Sequence, residues 1–167
     1  MHDLLNFPYP FEIARFDKIY LRHVIEHFSI DSINSILIEC DRLLKPNGEM
    51  IISVPHVFSI SAFIDPTHQS YFTFGSGQYW DRNNSKAYYS NIQSSWNLFK
   101  TTCIVNSFDW KRYRFRILNR FLSSFVEYRI NKAISNKNNP SLADRIVKKG
   151  AYQLVEIKWS FKKVNGK

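Results

Sequence analysis

The stretch that most constrains this chain is residues 15–55, where the apolar pattern changes period twice. "RFDKIYL" places Phe16, Ile19 and Leu21 in a short apolar strand that ends just before Arg22. From Asp31, a residue type suited to an N-cap, Ile33, Ile36, Leu37, Cys40, Leu43 and Leu44 recur at helical spacing. "KPNG" stops that helix, because proline is a poor continuation and Gly48 suits a tight turn, and "EMIISVP" then reads as a buried strand ended by Pro55. A helix between two buried strands is a βαβ unit, which predicts an α/β fold with a parallel sheet. Ligands of such sheets bind beyond the carboxyl ends of the strands, where Arg22, His23, Pro55 and His56 fall.

One of those ends spells a metal motif. In "RHVIEH", His23, Glu26 and His27 form the His-x-x-Glu-His run of a reversed zinc peptidase, in which two imidazoles on one helical face hold the ion. That chemistry needs both histidines inside a long helix and a distant third ligand, for which Glu127 is a candidate. Here the helix begins at Asp31, after the motif. The peptidase reading is therefore a minor alternative, and no metal is expected. Cys40 and Cys103 stand alone, without a CxxC or a histidine at ligand spacing, and read as buried thiols.

The chain has 167 residues, 44% of them hydrophobic and 16% aromatic, enough for one domain with a real core. No apolar run reaches the roughly 20 residues of a membrane span, and the polar start "MHDLLNFPYPFE" lacks a signal-peptide pattern, so a cytoplasmic location is expected. The net charge of +9 is uneven: residues 1–70 hold 5 Lys/Arg against 9 Asp/Glu, and residues 71–167 hold 18 against 5. An anionic partner is one reading and a solvated basic face the other; no nucleic-acid signature accompanies the charge. Further on, residues 96–108 and 152–164 are strand-like. In residues 114–130 Phe115, Leu118, Phe121, Leu122, Phe125, Val126 and Ile130 form an apolar helical stripe, expected to pack on the sheet, with covering a substrate pocket or touching a membrane surface as alternatives, while residues 135–145 read as a polar loop.

Taken in order, "FDKIYLRHVIEHF", "LLKPNGEMIISVPH" and "DPTHQSYFT" resemble the second half of a class I S-adenosylmethionine-dependent methyltransferase. The resemblance is sharp over residues 2–74 and only architectural over 75–167. It implies one partial Rossmann-like domain over 1–167 that supplies the equivalents of strands 4-5-7-6 of that family's sheet, with flanking helices. The family's glycine-rich loop and the acidic residue after it are not found; Gly75 and Gly77 in "FTFGSGQYW" lack a third glycine and read as a turn. A reading frame begun at an internal methionine, a truncated gene, or a half-domain that completes its sheet with a partner protein or a second copy would each account for this. The chain alone is expected to bind S-adenosylmethionine weakly or not at all.

The resemblance also assigns residues. Asp3 would contact the adenine, and Leu21, Arg22, His23 and Val24 would line the cofactor's passage past strand 4, while Glu26 and His27 fix the following turn. Methyl transfer from a sulfonium needs mainly in-line positioning, with a base only when the acceptor must lose a proton; His56 and His68 are the candidates. Phe7, Tyr9, Phe11, Tyr71 and Phe72 would supply an aromatic wall. The methyl acceptor is unspecified. A non-catalytic interaction module is the alternative.

Overall fold

The computed structural model describes residues 2–84, 95–105, 116–136, 141–150 and 155–164, side chains excepted for 116–123, 149 and 150. Four strands, β1 (Phe16–Arg22), β2 (Leu44–Pro55), β3 (Trp96–Val105) and β4 (Val155–Lys163), form one sheet in the order β1-β2-β4-β3. β1 and β2 are parallel, as the crossover through α1 (Ile30–Leu43) requires, and β4 enters antiparallel between β2 and β3. This is the 4-5-7-6 arrangement expected. Two further helices, α3 (Arg116–Ile134) and α4 (Leu142–Gly150), lie between β3 and β4, and the short α2 (Ser61–Ile64) follows β2.

α1 forms where its apolar spacing places it, but its N-cap is Ser29 rather than Asp31: the Ser29 hydroxyl accepts from Ser32 N–H at 3.4 Å, and Asp31 sits in the first turn, beside the positive end of the helix dipole. At its other end the chain passes directly into β2. Asn47 takes the left-handed conformation there, and Gly48 serves close approach instead: a Cβ would stand 2.9 Å from the Lys45 carbonyl oxygen and 3.2 Å from that of Asp17. β1 can lie against this turn only because that Cβ is missing.

One sheet face holds the core. Ile33, Ile36 and Leu37 of α1 meet Met50, Ile52 and Val54 of β2, and the same cluster continues through Ile157, Trp159 and Phe161 of β4 to Ile130 of α3 and Val147 of α4. Burial of such side chains contributes about 25 cal/mol per Å² of apolar surface removed from water. The polar loop expected over 135–145 is shorter than predicted, since α4 already begins at Leu142; its buried Ala143 and Val147, four residues apart, are the apolar stripe that the loop reading missed. In α3 the buried positions are Ile130 and Ala133, while Phe125 is exposed; Phe115 and the side chains of Leu118, Phe121 and Leu122 lie outside the described residues, as do residues 106–108 and 152–154 of the predicted strands.

Candidate functional site

Both parallel strands end on the same side of the sheet, and the loops after them form the site. β1 gives way at Arg22 to a bend at His23, which takes a positive φ of 51°, and then to a 3-10 turn, Ile25–His27. The His23 N–H still donates to the Ser53 carbonyl, so the bend is held to β2. The run that spelled a zinc peptidase is thus a bend and a turn, not a helix, and its histidines have different partners. His23 Nδ1 lies 3.2 Å from Glu26 Oε1 and its Nε2 lies 3.3 Å from Glu156 Oε1. The hydrogen bonds to Glu156 and Glu26 outweigh partial burial and raise its pKa to about 9, so it is held as an imidazolium. Glu127, the candidate third ligand, instead accepts from the Val105 N–H at 3.2 Å.

His27 faces the loop after β2. That loop is stapled to the 3-10 turn: the Glu26 carbonyl accepts from Gln69 N–H at 2.8 Å and Ser70 N–H at 3.0 Å, and the Ser70 hydroxyl donates to the Phe28 carbonyl at 2.7 Å. His68 is thereby carried against His27, with ring centroids 4.7 Å apart and nearly perpendicular planes. Each imidazole is oriented from behind. His68 Nδ1 bonds the Ala62 carbonyl oxygen at 2.9 Å, and His27 Nδ1 bonds Thr67 Oγ1 at 2.8 Å. A carbonyl only accepts, so His68 carries its proton on Nδ1. The Thr67 hydroxyl donates to Asp65 Oδ1 at 2.6 Å, so it too accepts from its imidazole. Bonds from Thr67 hold the Asp65 carboxyl below its ordinary pKa, which keeps it an acceptor. In both rings Nδ1 is thus engaged, and Nε2 is the nitrogen left for another partner. Asp65 and Thr67 thus act together on the His27 ring.

His56 is placed otherwise. It is fully buried, its Nδ1 accepts from the Phe58 N–H at 3.1 Å, and its Nε2 donates to Asp144 of α4 at 2.8 Å. Asp144 also accepts from the Phe74 N–H at 3.2 Å. With both ring nitrogens engaged, His56 pins the post-β2 loop to α4 and has no free position for a substrate proton. Sequence reasoning missed this pair because its partners are 88 residues apart.

Of the residues expected on the cofactor side, Leu21 is in the core, so only its backbone can face a ligand, and Val24 follows His23 at the bend. Arg22 lines an open groove of about 440 Å³ on the other sheet face, together with Tyr20, Ile51, Ser53, Ile104 and Glu156. Asp3 caps its own turn, its Oδ1 accepting from Leu5 N–H at 2.9 Å. The aromatic wall does not form. Phe7 stacks on Tyr9, Phe11 meets Phe16, Tyr71 stacks on Phe63, and Phe72 is in the core against Trp159. Among the described residues no glycine has a positive φ, and Gly77 is occupied by Trp159, whose ring a Cβ would meet at 2.8 Å. The described residues thus contain no glycine cradle of the kind a nucleoside cofactor needs.

Comparisons with known proteins agree with this architecture. Residues 2–52 match the family described as the methyltransferase domain. No curated protein matches the sequence. Among solved structures, a SAM-dependent methyltransferase from Archaeoglobus fulgidus is similar at 15% identity and a TM-score of 0.50, covering 97% of this chain and 66% of its own. A Bacillus halodurans protein described as a methyltransferase is similar at 16% identity and a TM-score of 0.51, covering 98% of this chain and 70% of its own. This chain therefore spans about two thirds of the length of each. At such identities the likeness speaks for the fold alone. Residues 2–52 are thus similar to a methyltransferase domain, and the fold of the whole chain is similar to those two solved structures.

Proposed function

We propose that this chain forms the acceptor side of a methyltransferase, with His68 as the base that takes the proton of an unspecified methyl acceptor. The observation that carries this reading is the tautomer imposed on His68: its Nδ1 proton is committed to the Ala62 carbonyl, leaving Nε2 able to accept. His56, the other candidate, has both nitrogens engaged and is the weaker choice. Arg22, the backbone of Leu21, His23 and Val24, and Asp3 would contact the cofactor. Without a glycine cradle among the described residues, the chain alone would hold S-adenosylmethionine weakly, with a Kd above about 1 mM.

Weak binding of this kind is visible by NMR. Titrating the full chain with S-adenosylmethionine to about 10 mM is expected to shift the amide resonances of Arg22, His23 and Val24 with a shared, unsaturated curve. An absence of shifts at that concentration, or shifts confined to other residues, would count against the cofactor side of the proposal. Tight stoichiometric binding would overturn the weakness predicted for the chain alone.

A second reading rests on β1, which among the described residues lies at the edge of the sheet and pairs only with β2. A strand edge can be completed by another chain, so a non-catalytic interaction module remains the alternative. A defined dimer in sedimentation equilibrium would favour it, and a monomer at all concentrations would count against self-association.

A further inference from the structure

The geometry points to a metal site that the sequence motif did not spell: Glu26, His27 and His68 form a three-ligand site for a divalent transition ion of the zinc type. One carboxylate oxygen of Glu26 and one ring nitrogen of each histidine lie within 4.8 Å of one another. A tetrahedral ion with bonds of about 2.1 Å sets its ligands about 3.4 Å apart, so side-chain rotations of less than about 1.5 Å would close the set. His23, the first histidine of the motif, is not a member. His68 replaces it from 45 positions further along the chain.

Three independent observations support the assignment. The first is Glu26 itself: its side chain is 1% exposed, and its Oε2 is buried with no hydrogen-bond partner among the described residues. An ionised oxygen buried in that state is unfavourable unless a cation or proton joins it. Its other oxygen is held by His23, so Oε2 remains for an ion. The second is the orientation of the imidazoles. Metal-bound histidines donate their second nitrogen to a carbonyl, hydroxyl or carboxylate behind them, and here His68 donates to Ala62 and His27 to Thr67, which is backed in turn by Asp65. The third is rigidity: the two segments are joined by three hydrogen bonds, from Gln69, Ser70 N–H and the Ser70 hydroxyl, so the ligands are assembled before any ion arrives.

Both histidines are partly exposed, so the ion would keep an open position on the solvent side, as ions with three protein ligands do when they bind a water or a substrate oxygen. With an ion bound, His68 is a ligand rather than a base, and lowering the acceptor's pKa falls to the ion as a Lewis acid. The site stands on its ligands and not on the methyl-transfer reading, because binding is measured without a methyl donor.

The test is calorimetry of the full metal-free chain with zinc chloride, paired with the visible spectrum of the cobalt(II)-substituted chain. One zinc per chain is expected, together with the intense absorption of a four- or five-coordinate cobalt ion. His27→Ala and His68→Ala should each weaken zinc binding at least tenfold, with circular dichroism unchanged. Thr67→Ala, which keeps all three ligands and loses only the support behind His27, should weaken it about tenfold. If the histidine variants fail to fold, Thr67→Ala and the wild-type cobalt spectrum decide the matter. An absence of stoichiometric binding, a weak octahedral cobalt spectrum, or undiminished binding in folded His27→Ala and His68→Ala chains would overturn the proposal.

Discussion

At the scale of single residues, this chain separates histidines that look alike in the sequence. His56 and His68 both follow β2, yet His56 is fully buried between Phe58 and Asp144 while His68 keeps its Nε2 for another partner. Replacing His56 by Gln is expected to destabilise the fold by about 2–4 kcal/mol, read by urea denaturation, because a buried N–H and a carboxylate lose their shared partner. Unchanged stability would show the pair to be unimportant to folding and restore His56 as a candidate base. The cysteines behave as their isolation suggested: burial raises the pKa of both Cys40 and Cys103 to about 12, which keeps them as protonated, unreactive thiols. Such roles depend on what surrounds a side chain, so the residue type alone left them open. The zinc motif shows the same limit: the orientation of His23 toward Glu156 could not be read from spacing.

At the scale of elements, the joint between the N-terminal loop and α1 is held by a polar network around Glu39 and Arg42. Glu39 is buried on α1 and accepts from the Tyr9 N–H at 2.7 Å, and Arg42, one turn on, pairs with Glu39 at 2.6 Å. Arg42 also donates to the carbonyls of Tyr9 and Phe11. Pairing with Arg42 holds the Glu39 carboxyl below its ordinary pKa. The folded state thus binds the Glu39 proton less readily than the unfolded chain does. Its contribution is full above the unfolded pKa, near 4.5, and is lost as the pH falls through the lower folded value. Glu39→Gln should cost about 1–3 kcal/mol at pH 7, and the gap between variant and wild type should narrow as the pH drops below about 4. A constant gap across that range, in thermal melts, would refute the linkage. Helix α1 and both parallel strands were legible because periodicity and the stop at "KPNG" are local; the cap at Ser29 differs from the predicted Asp31 because either residue type suits the position and only the backbone chooses.

For the whole molecule, the insertion of β4 between β2 and β3 joins the two halves of the chain. Trp159 is its centre: fully buried, it packs edge-on against Phe72 and Trp80, and its indole N–H donates to the Phe74 carbonyl at 3.1 Å. Gly77 lies flat against that ring. Adding one methyl there, as Gly77→Ala, is expected to destabilise the protein by about 1–3 kcal/mol, since the buried indole and the 3-10 turn Ser76–Trp80 that carries Gly77 would have to move apart. A thermal melt that matches wild type would show that the contact yields. The same ring contact gives Gly77, read from the sequence as part of a turn, a role in packing.

The sequence by itself determined the βαβ unit, the class of fold, the family resemblance of residues 2–74 and the sites at which the strands end, because each rests on local periodicity or on short segments in order. The tertiary structure decided which residues meet there. It drew His68 against His27, turned His23 to Glu156 and His56 to Asp144, and dispersed the aromatic residues into separate pairs. Those contacts join segments far apart in the chain, and nothing in the spacing of residues fixes them; they follow from the staple between the Glu26 carbonyl and the loop at Gln69 and Ser70, and from the place of β4 in the sheet.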